Sequence, residues 1–501
     1  MRRMEMNHNI FGLLPVFLFM LLMLAVSIYI RNQSAKKSSG GFIREYFIGS
    51  RSLGGFVLAM TTVATYSSVS SFVGGPGQAW SVGFGWVYMS VVQVTALFLV
   101  LGILGKKMAM AARKIDAVTV IDVIRHRYQS DALANISAVI IVLFFSATMV
   151  AQFVGGAKLF EAVTGYSYMT GLVLFGLVVV IYTTIGGFRG VAVTDALCAI
   201  AMLIGMFILL FGILKAGGGY EAIMTQIASN KPEMLEPLSG GEMPVSLYLS
   251  QWMLVGIFTV GLPQSVVRCV SYKDTKSLHR AIIIGTIVIG AMNIGMNFIG
   301  VLAQGVLPDD LAAYGGSVDN IMPLAIVASL KPLIAGITII GPVAASISTV
   351  SSLLLTATSS IVKDIYIYQK EKKREKVSEK KTSFLSQVWT LVLGILIFII
   401  SISPPDVIWK INMFAFGGLE TAFFWVFLLG MFWKKANKRG AVWAMAAGTI
   451  AYCVTMALGI TAGGIHQILI GIGVSLICML IGGWTGKTAD REVLDVYFPE
   501  A

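Results

Sequence analysis

The stretch Ser70-Ser-Phe-Val-Gly-Gly-Pro-Gly77 lies in the middle of an apolar segment that is long enough to cross a membrane. A second segment of this kind is interrupted by Thr259-Val-Gly-Leu-Pro-Gln264. Backbone groups inside hydrocarbon must find partners within the protein, so a spanning helix is broken only where protein or a wet cavity takes over the freed groups. Two breaks at corresponding places in the two halves of a chain predict an inverted-repeat carrier with a site near the middle of the membrane.

Composition places nearly the whole chain in lipid. Of its 501 residues 56% are hydrophobic and 12% are charged, which excludes a soluble globular protein. Period-two segments are absent, and most apolar segments approach the ~20 residues of a spanning helix. The fold is therefore predicted to be an all-α, multi-pass membrane protein with about 13 transmembrane helices. The segments are 10–30, 54–76, 84–105, 132–155, 169–187, 192–214, 246–269, 281–306, 333–362, 384–403, 406–432, 438–459 and 464–485.

The net charge of +12 does not indicate a nucleic-acid partner, because the basic residues follow membrane topology instead of forming one patch. With the N-terminus outside and the C-terminus inside, 30 of the 37 Lys and Arg residues lie in or beside cytoplasmic loops. The first segment has no small-residue cleavage site before Arg31. It is predicted to stay as a helix in the cell membrane instead of leaving as a signal peptide.

Hydroxyl side chains are unusually dense in one apolar segment, Ala344-Ala-Ser-Ile-Ser-Thr-Val-Ser-Ser352, and continue to Ser360. Five small residues fall on one helical face at offsets 0, 3, 4, 7 and 11. They are Ala345, Ser348, Thr349, Ser352 and Thr356. One interpretation is a close helix-packing seam in which the hydroxyls bond back to their own helix.

The alternative interpretation is a sodium site. A hard cation of low charge is held well by several neutral oxygens, including carbonyls that are freed where a helix unwinds. The segment Ala64-Thr-Tyr-Ser-Ser-Val-Ser-Ser71, before the first break, offers such carbonyls and further hydroxyls. The two segments together predict a cage of five oxygens without a carboxylate. A proton carrier would instead place an ionisable residue there.

Two carboxylates stand out within the apolar segments. Asp195 is predicted near the cytoplasmic face, where it either attracts a cation leaving the site or forms a structural pair with Arg189. Glu420 lies deeper, and an intramembrane acid is a functional candidate, although a protonated, hydrogen-bonded Glu between helices is the alternative. No Lys or Arg is expected deep enough to hold a substrate carboxylate, which leaves the N-terminus of a half-helix at one of the breaks.

Several polar residues are candidates to line a central cavity, although a Gln in such a helix more often bridges neighbouring helices. They are Tyr66, Ser71, Gln93, Gln152, Thr259 and Gln264. The chain has no phosphate-binding loop, nucleophile elbow or metalloprotease helix. It is therefore predicted not to be an enzyme, to need no cofactor and to be driven by an ion gradient.

Motifs along the chain resemble a known family. They are Glu45-Tyr-Phe-Ile-Gly-Ser-Arg-Ser-Leu-Gly-Gly55, Gly74-Gly-Pro-Gly77, Gly186-Gly-Phe-Arg189 with Asp195, Gly261-Leu-Pro-Gln-Ser-Val-Val-Arg268, Lys273-Asp-Thr-Lys-Ser-Leu-His-Arg280, Ala344-Ala-Ser-Ile-Ser-Thr349 and Gly430-Met-Phe-Trp-Lys-Lys-Ala-Asn-Lys-Arg-Gly440. Together they resemble the sodium/solute symporter family over nearly the whole chain. Within that family, residues 59–77 and Phe416-Gly-Gly-Leu-Glu420 look most like the branch that carries pantothenate.

The resemblance implies one transmembrane transporter domain, 1–501, that works by alternating access. Its core would be a leucine-transporter-type arrangement of five plus five inverted helices over 54–432. Residues 1–53 would form the outer N-terminus, the first helix and a cytoplasmic loop. Residues 433–501 would add two accessory helices and a cytoplasmic tail.

The resemblance also implies which residues act. Matched position by position, the family's sodium ligands fall on Ala64, Ser67, Ala345, Ser348 and Thr349, and Asp195 matches an aspartate on the cation's route to the cytoplasm.

The substrate positions depart from one branch of the family. Tyr66 stands where proline carriers of the family have an acidic residue, so the pocket is not expected to suit proline, and an uncharged Tyr suits an anionic substrate. Sodium-coupled pantothenate uptake is the leading hypothesis, with Tyr66, Ser71, Gln93, Gln152, Thr259 and Glu420 as substrate-binding candidates. Another small carboxylate or amino acid, or a transporter-fold sensor, stays open.

Overall fold

The computed structural model describes residues 10–37, 46–308 and 310–499. The predicted outer N-terminus at 1–9, part of the predicted cytoplasmic loop at 38–45 and the last two residues of the predicted tail lie outside the described residues. In the described ranges every regular element is a helix, and the β-type contact between Leu53 and Tyr272 is an isolated bridge. The prediction of an all-α chain is confirmed.

The helices follow one another with short connections. Their bounds are α1 Ile10–Lys37, α2 Gly55–Tyr66, α3 Ser70–Val82, α4 Phe84–Lys114, α5 Val120–Tyr128, α6 Asp131–Thr164, α7 Tyr168–Ala216, α8 Tyr220–Asn230, α9 Val245–Gly261, α10 Pro263–Ser271, α11 Thr275–Gly305, α12 Val318–Ser329, α13 Pro332–Lys372, α14 Glu379–Ser401, α15 Ile408–Phe432, α16 Lys438–Ala457, α17 Ile468–Thr485 and α18 Arg491–Tyr497. Single 3₁₀ turns lie at Gly49–Arg51, Pro232–Leu235, Ser239–Gly241, Leu311–Tyr314 and Ala462–Gly464.

By length and composition, nine of the described helices suit a membrane span, and the number rises to eleven if each of two bent pairs counts as one. Burial separates central from peripheral helices: 78% of the apolar window is buried in α13 and α15, against 28% in α14. Large apolar side chains such as Phe207 and Ile287 are exposed on the outside of the bundle, where lipid would surround them. These findings confirm a multi-pass membrane protein.

The first helix break lies three residues before the predicted stretch. Helix α2 ends at Tyr66, Ser67 is extended (φ −78°, ψ 97°), and α3 leaves at an angle of 65° from Ser70. The stretch Ser70–Gly77 is itself helical, so its prediction as the break was wrong. Its glycines serve close packing instead, since a β-carbon at Gly77 would overlap the carbonyl oxygen of Val318. Pro76 is tolerated because it lies in the first turn of its α-helical part.

The second break is confirmed within the predicted residues Thr259–Gln264. Leu262 is extended (φ −81°, ψ 109°) between α9 and α10, which meet at 40°. Pro263 follows at the first position of α10, where its fixed φ suits a helix start and its missing N–H costs nothing. The position of this break can therefore be predicted from the local sequence, because Pro263 marks the start of the second helix.

Helix α7 consists of two helices joined by one residue. Gly187 has φ 59° and ψ −176°, whereas the residues on both sides are helical. A positive φ favours glycine, and a β-carbon here would also lie 2.9 Å from the ring of Tyr46. The predicted segments 169–187 and 192–214 are thus continuous except at this residue.

The packing of the central helices brings both breaks to one region. Helix α13 packs against α2, α6 and α7, and α15 packs against the end of α9 at the second break. Helix α11 lies along both α2 and α3, so it supports both halves of the first broken helix. The freed backbone groups of the first break therefore face the hydroxyl-rich helix α13.

Candidate functional site

The Ser348 hydroxyl connects the first break with α13. It lies 2.9 Å from the carbonyl oxygen of Ala64 and 3.1 Å from that of Ala345, and it donates to these acceptors. Beside it, the Thr349 hydroxyl donates to the carbonyl oxygen of Thr65 at 3.5 Å. The Ser348 hydroxyl thus contacts two carbonyl oxygens, and one of them, that of Ala64, belongs to a residue far away in the sequence.

Ser67 is the fifth predicted sodium position, and it lies where α2 unwinds. Its amide still donates to the carbonyl oxygen of Val63 at 2.7 Å, but its ψ of 97° turns its own carbonyl away from the helix direction. The Ser67 hydroxyl is buried without a hydrogen-bond partner among the described residues. Buried neutral oxygens that are only partly satisfied are the chemistry that a weakly charged cation prefers. The donor set therefore fits sodium.

A buried ion pair lies next to this group of oxygens. The Asp195 carboxylate and the Arg268 guanidinium are 3.7 Å apart, and their side chains are 0% and 1% exposed. Asp195 Oδ2 accepts hydrogen bonds from Thr61 at 2.8 Å and Ser352 at 3.2 Å. Arg268 Nη2 donates to the hydroxyls of Thr65 at 2.5 Å and Ser352 at 2.8 Å. Because Thr65 also accepts from Thr349, the ion pair adjoins the predicted sodium site.

The Arg268 contacts correct two expectations. The cation that pairs with Asp195 is Arg268, where the sequence had offered Arg189 as the structural partner. An Arg also lies deep in the bundle, although none was expected there. The signal that could have found it is its place on the half-helix α10, directly after the second break, because that half-helix faces the polar interior.

Gln152 caps the half-helix that follows the first break. Its side-chain oxygen accepts the amide of Val69 at 2.9 Å, and its carbonyl oxygen accepts the hydroxyl of Ser346 at 2.7 Å. The amide of Val69 belongs to the start of the second half-helix, which would otherwise leave it unpaired. Gln152 thus bridges helices, as the alternative interpretation of buried Gln residues held.

Replacing Gln152 with Leu is expected to lower the free energy of unfolding by about 1–3 kcal/mol, because the buried Val69 amide loses its acceptor. Thermal unfolding in detergent measures the change. Ser137→Ala is the matched control on the same helix, since the buried Ser137 hydroxyl donates to the carbonyl oxygen of Leu133 and to the sulfur of Met445, both away from the first break. Equal stabilities of the two variants would contradict the capping role.

Three of the substrate-binding candidates meet at the second break. The Tyr66 hydroxyl donates to the carbonyl oxygen of Val255 at 2.6 Å, which ties the end of α2 to α9. A β-carbon at Gly261 would lie 3.0 Å from Cα of Glu420, so α15 approaches the break closely. The Thr259 hydroxyl bonds back to the carbonyl oxygen of Gly256 at 2.5 Å. Tyr66, Thr259 and Glu420 are therefore brought together around α9 and α15.

Glu420 has an unusual environment. It is 0% exposed, and neither carboxylate oxygen has a hydrogen-bond partner in the described ranges. The hydrogen-bonded Glu that the sequence offered as an alternative is thus not observed. One and two turns earlier on α15, Phe416 lies 6.5 Å from the ring of Tyr66, and Asn412 has a buried, unpartnered oxygen. This face of α15 therefore carries three buried side-chain oxygens, two on Glu420 and one on Asn412, that have no hydrogen-bond partner in the described ranges.

The remaining candidates lie around this group. Ser71 is partly buried in the first turn of α3, with its amide on the carbonyl oxygen of Ser68. Gln93 is buried in a turn of α4 that packs against 253–257 of α9. Gln264 is buried with an unpartnered side-chain oxygen. Sequence reasoning missed Asn293 and Asn297 on α11, whose buried amides hold further unpartnered atoms where α11 faces the first broken helix.

The two ends of the bundle differ. At the predicted outer end, the rings of Trp86 and Trp409 meet edge to face at 4.9 Å, and buried Asp319 accepts from Lys158 at 3.2 Å and from the amide of Ile408 at 3.0 Å. At the predicted cytoplasmic end a cavity reaches the second break. Its lining includes Thr119, Phe188, Pro263, Val267, Thr356, Ser359, Ser360 and Asp364. The lining of this cavity joins α10 to the part of α13 that is predicted to lie towards the cytoplasm.

Comparison with known proteins adds four matches. The family model described as Sodium:solute symporter family matches residues 46–448. The sodium/pantothenate symporter of Haemophilus influenzae is 40% identical over 480 residues, covering 96% of this chain and 97% of the relative. The protein of the same name in Escherichia coli is 39% identical over 483 residues, covering 96% and 98%. A solved structure of a Na⁺-coupled sialic acid symporter, substrate-bound and outward-open, shares the fold with a TM-score of 0.80 at 20% identity, covering 97% and 100%.

Proposed function

Since the chain belongs to the sodium:solute symporter family, we propose that it couples inward sodium movement to the uptake of pantothenate across the cell membrane. The contact of the Ser348 hydroxyl with the carbonyl oxygens of Ala64 and Ala345 carries the proposal, because it places cation ligands at a helix break. The two relatives described above, both named sodium/pantothenate symporter, support the choice of substrate. Sodium is the coupling ion, and the family's activity is not enzymatic.

Ala64, Ser67, Ala345, Ser348 and Thr349 are proposed to hold the sodium ion. Binding would turn the Ser348 and Thr349 oxygens from hydrogen-bond donors toward carbonyls into ligands of the ion. Because these ligands belong to α2 and α13, the ion joins the two helices and favours the conformation in which they are close together. Asp195, adjoining the site, is proposed to receive the ion on its way to the cytoplasm.

The substrate is proposed to bind against the second break. Tyr66, Thr259 and Glu420 would form its wall, with Ser71, Gln93 and Gln152 nearby. Pantothenate carries hydroxyl and amide donors, which suit the unpartnered oxygens of Glu420, Gln264 and Asn412. For the substrate carboxylate, Val69 and Ser70 are poor donors, since their amides already bond to Gln152 and Ser68. The start of α10 at the second break is the remaining half-helix N-terminus.

Thirteen spans are proposed in a single transporter domain. Counting each bent pair once gives eleven, dividing α7 at Gly187 adds one, and the shorter apolar stretch Leu14–Ile30 of α1 adds another. The two broken helices would then open two inverted repeats of five helices within 54–432, after 1–53 and before 433–501. An outside N-terminus and an inside C-terminus place the basic groups around Arg125 and Lys372 in the cytoplasm, as the positive-inside rule favours.

Transport by the purified protein in proteoliposomes tests the proposal. An inward sodium gradient is expected to make labelled pantothenate accumulate above its external concentration, and a potassium gradient of equal size is not. Unlabelled pantothenate should compete, whereas proline and simple monocarboxylates at the same concentration should not. Accumulation without sodium would contradict the coupling, and stronger competition by another acid would contradict the choice of substrate.

A further inference from the structure

A line of polar side chains continues along α13 beyond the sodium site. Ser348 and Thr349 are followed at helical spacing by Ser352, by Thr356, by Ser359 and Ser360, and finally by Asp364. Ser352 contacts the Asp195–Arg268 pair, and the cavity lining begins one turn later. One face of a single helix therefore leads from the predicted ion site to the predicted cytoplasmic end.

The hydroxyls near the end of this line have free lone pairs. Ser359 and Ser360 both donate to the carbonyl oxygen of Thr356, at 2.9 and 3.1 Å, and both line the cavity. A hydroxyl whose hydrogen is donated to its own helix presents its oxygen outward, as a cation ligand must. This part of α13 is also a π-helical segment, Ser360–Ile367, and such segments often occur at functional sites.

Asp364 lies at the end of the line with one carboxylate oxygen unused. It is 1% exposed and lines the cavity. Its Oδ1 accepts the hydroxyl of Thr119 at 2.5 Å, whereas Oδ2 has no hydrogen-bond partner in the described part of the chain. A buried carboxylate oxygen without a partner is costly, so its persistence calls for a ligand.

The neighbouring charged side chains pair with other carboxylates. Arg125 and Lys363 lie 3.5 and 3.7 Å from Asp122, and Lys372 lies 2.7 Å from Asp131. Arg125 also reaches Asp131 at 3.6 Å and donates to the backbone oxygen of Asp364, not to its carboxylate. The three cations of this group thus pair with two carboxylates, Asp122 and Asp131, and the carboxylate of Asp364 takes part in no described ion pair.

We propose that Asp364 Oδ2, with the hydroxyls of Ser359 and Ser360, forms a second, transient site for a monovalent cation on the route from the sodium site to the cytoplasm. The proposal rests on the sodium coupling proposed above. The positive charges of Arg125 and Lys363 nearby keep the site weak, which suits a site that an ion must leave as readily as it enters. Asp364 then lowers the energy of the ion between Asp195 and the cytoplasm.

Measurements of net uptake and of exchange together distinguish a role of Asp364 in sodium release from a role in substrate binding or in folding. Net uptake requires release of sodium to the cytoplasmic side in every cycle, whereas exchange of labelled for unlabelled pantothenate at saturating sodium on both sides does not. Asp364→Asn keeps an acceptor for Thr119 but removes the charge. It is expected to slow net uptake by roughly tenfold, as loss of one short-range charge interaction implies. Exchange and the half-saturating external sodium concentration should stay at the wild-type values.

Two further variants complete the test. Asp364→Glu restores the charge and should recover most of the net uptake. Thr119→Val removes the hydrogen bond to Oδ1 and the side-chain cap of α5 but leaves Oδ2 intact, so it should not change the ratio of net uptake to exchange. The proposal is overturned if Asp364→Asn slows both processes equally or leaves both unchanged, or if Thr119→Val reproduces its effect. Wild-type uptake that needs no sodium would instead refute the proposed function itself.

Discussion

Replacing both Ser348 and Thr349 with Ala is expected to abolish sodium-stimulated uptake. The sodium concentration for half-maximal uptake should rise by roughly 100-fold or more, because each lost contact to a charged group removes about 1.5–3 kcal/mol and about 1.4 kcal/mol is a factor of ten. The Ser348 hydroxyl is in contact with two other proposed ligands, Ala64 and Ala345, so its removal affects the centre of the site. Initial uptake rates measured against external sodium test the expectation.

The control for this variant lies on the same helix. The Thr358 hydroxyl lies 3.1 Å from that of Thr390 on α14, away from the first break. Thr358→Val removes a buried hydroxyl from α13 without touching a proposed ligand, and its sodium dependence should match that of the wild type. If the double variant keeps the wild-type sodium dependence, the five residues are not the sodium site.

Replacing Arg268 with Gln is expected to destabilise the protein by about 3–5 kcal/mol, since the Asp195 carboxylate is left as a buried charge without its partner. Arg268 also donates to the hydroxyls of Thr65 and Ser352, and these bonds are lost with it. Thermal unfolding in detergent measures the stability. Sodium-driven uptake should fall as well, because Thr65 and Ser352 adjoin the proposed ion route.

Combining Arg268→Gln with Asp195→Asn should recover much of that stability, because the double variant buries two neutral groups instead of one unpaired charge. Residues in direct contact deviate from additivity by about 0.5–3 kcal/mol, and the recovery should lie in that range or above it. Additive losses in the double variant would mean that the two side chains do not interact in the folded protein. Transport by the double variant then reports how far Asp195 acts through its charge.

The two helix breaks show what local sequence can and cannot reveal. The second break carries its own signal, because Pro263 starts a helix and the preceding Leu262 is extended. The first break lies at Ser67, which has no such signal in its neighbourhood. Its partners come from other helices, namely Gln152 for the amide of Val69 and Ser348 for the carbonyl of Ala64. The glycines that suggested a later break are required by packing against Val318 instead.

The polar interior likewise could be predicted from the sequence only in part. The density of hydroxyls between Ser346 and Ser360 is visible in the sequence, and the structure places Ser348 and Thr349 on the backbone oxygens of α2. The positions of the individual sodium ligands came from the family resemblance and stay a prediction. The pairing of Asp195 with Arg268 depends on how α7 and α10 pack, which no spacing along the chain encodes. The orphaned oxygens of Glu420 likewise follow from tertiary structure alone.

The single residue between the two parts of α7 has a mechanical consequence. With Gly187 as the whole connection, the helices at 168–186 and 188–216 share no loop that could lengthen or swing. Any rotation of one helix against the other would have to be absorbed by the two backbone dihedral angles of this glycine. The ring of Tyr46 packs against the same glycine. Motion of one helix relative to the other is therefore restricted to these two angles, and Asp195 moves with the second helix.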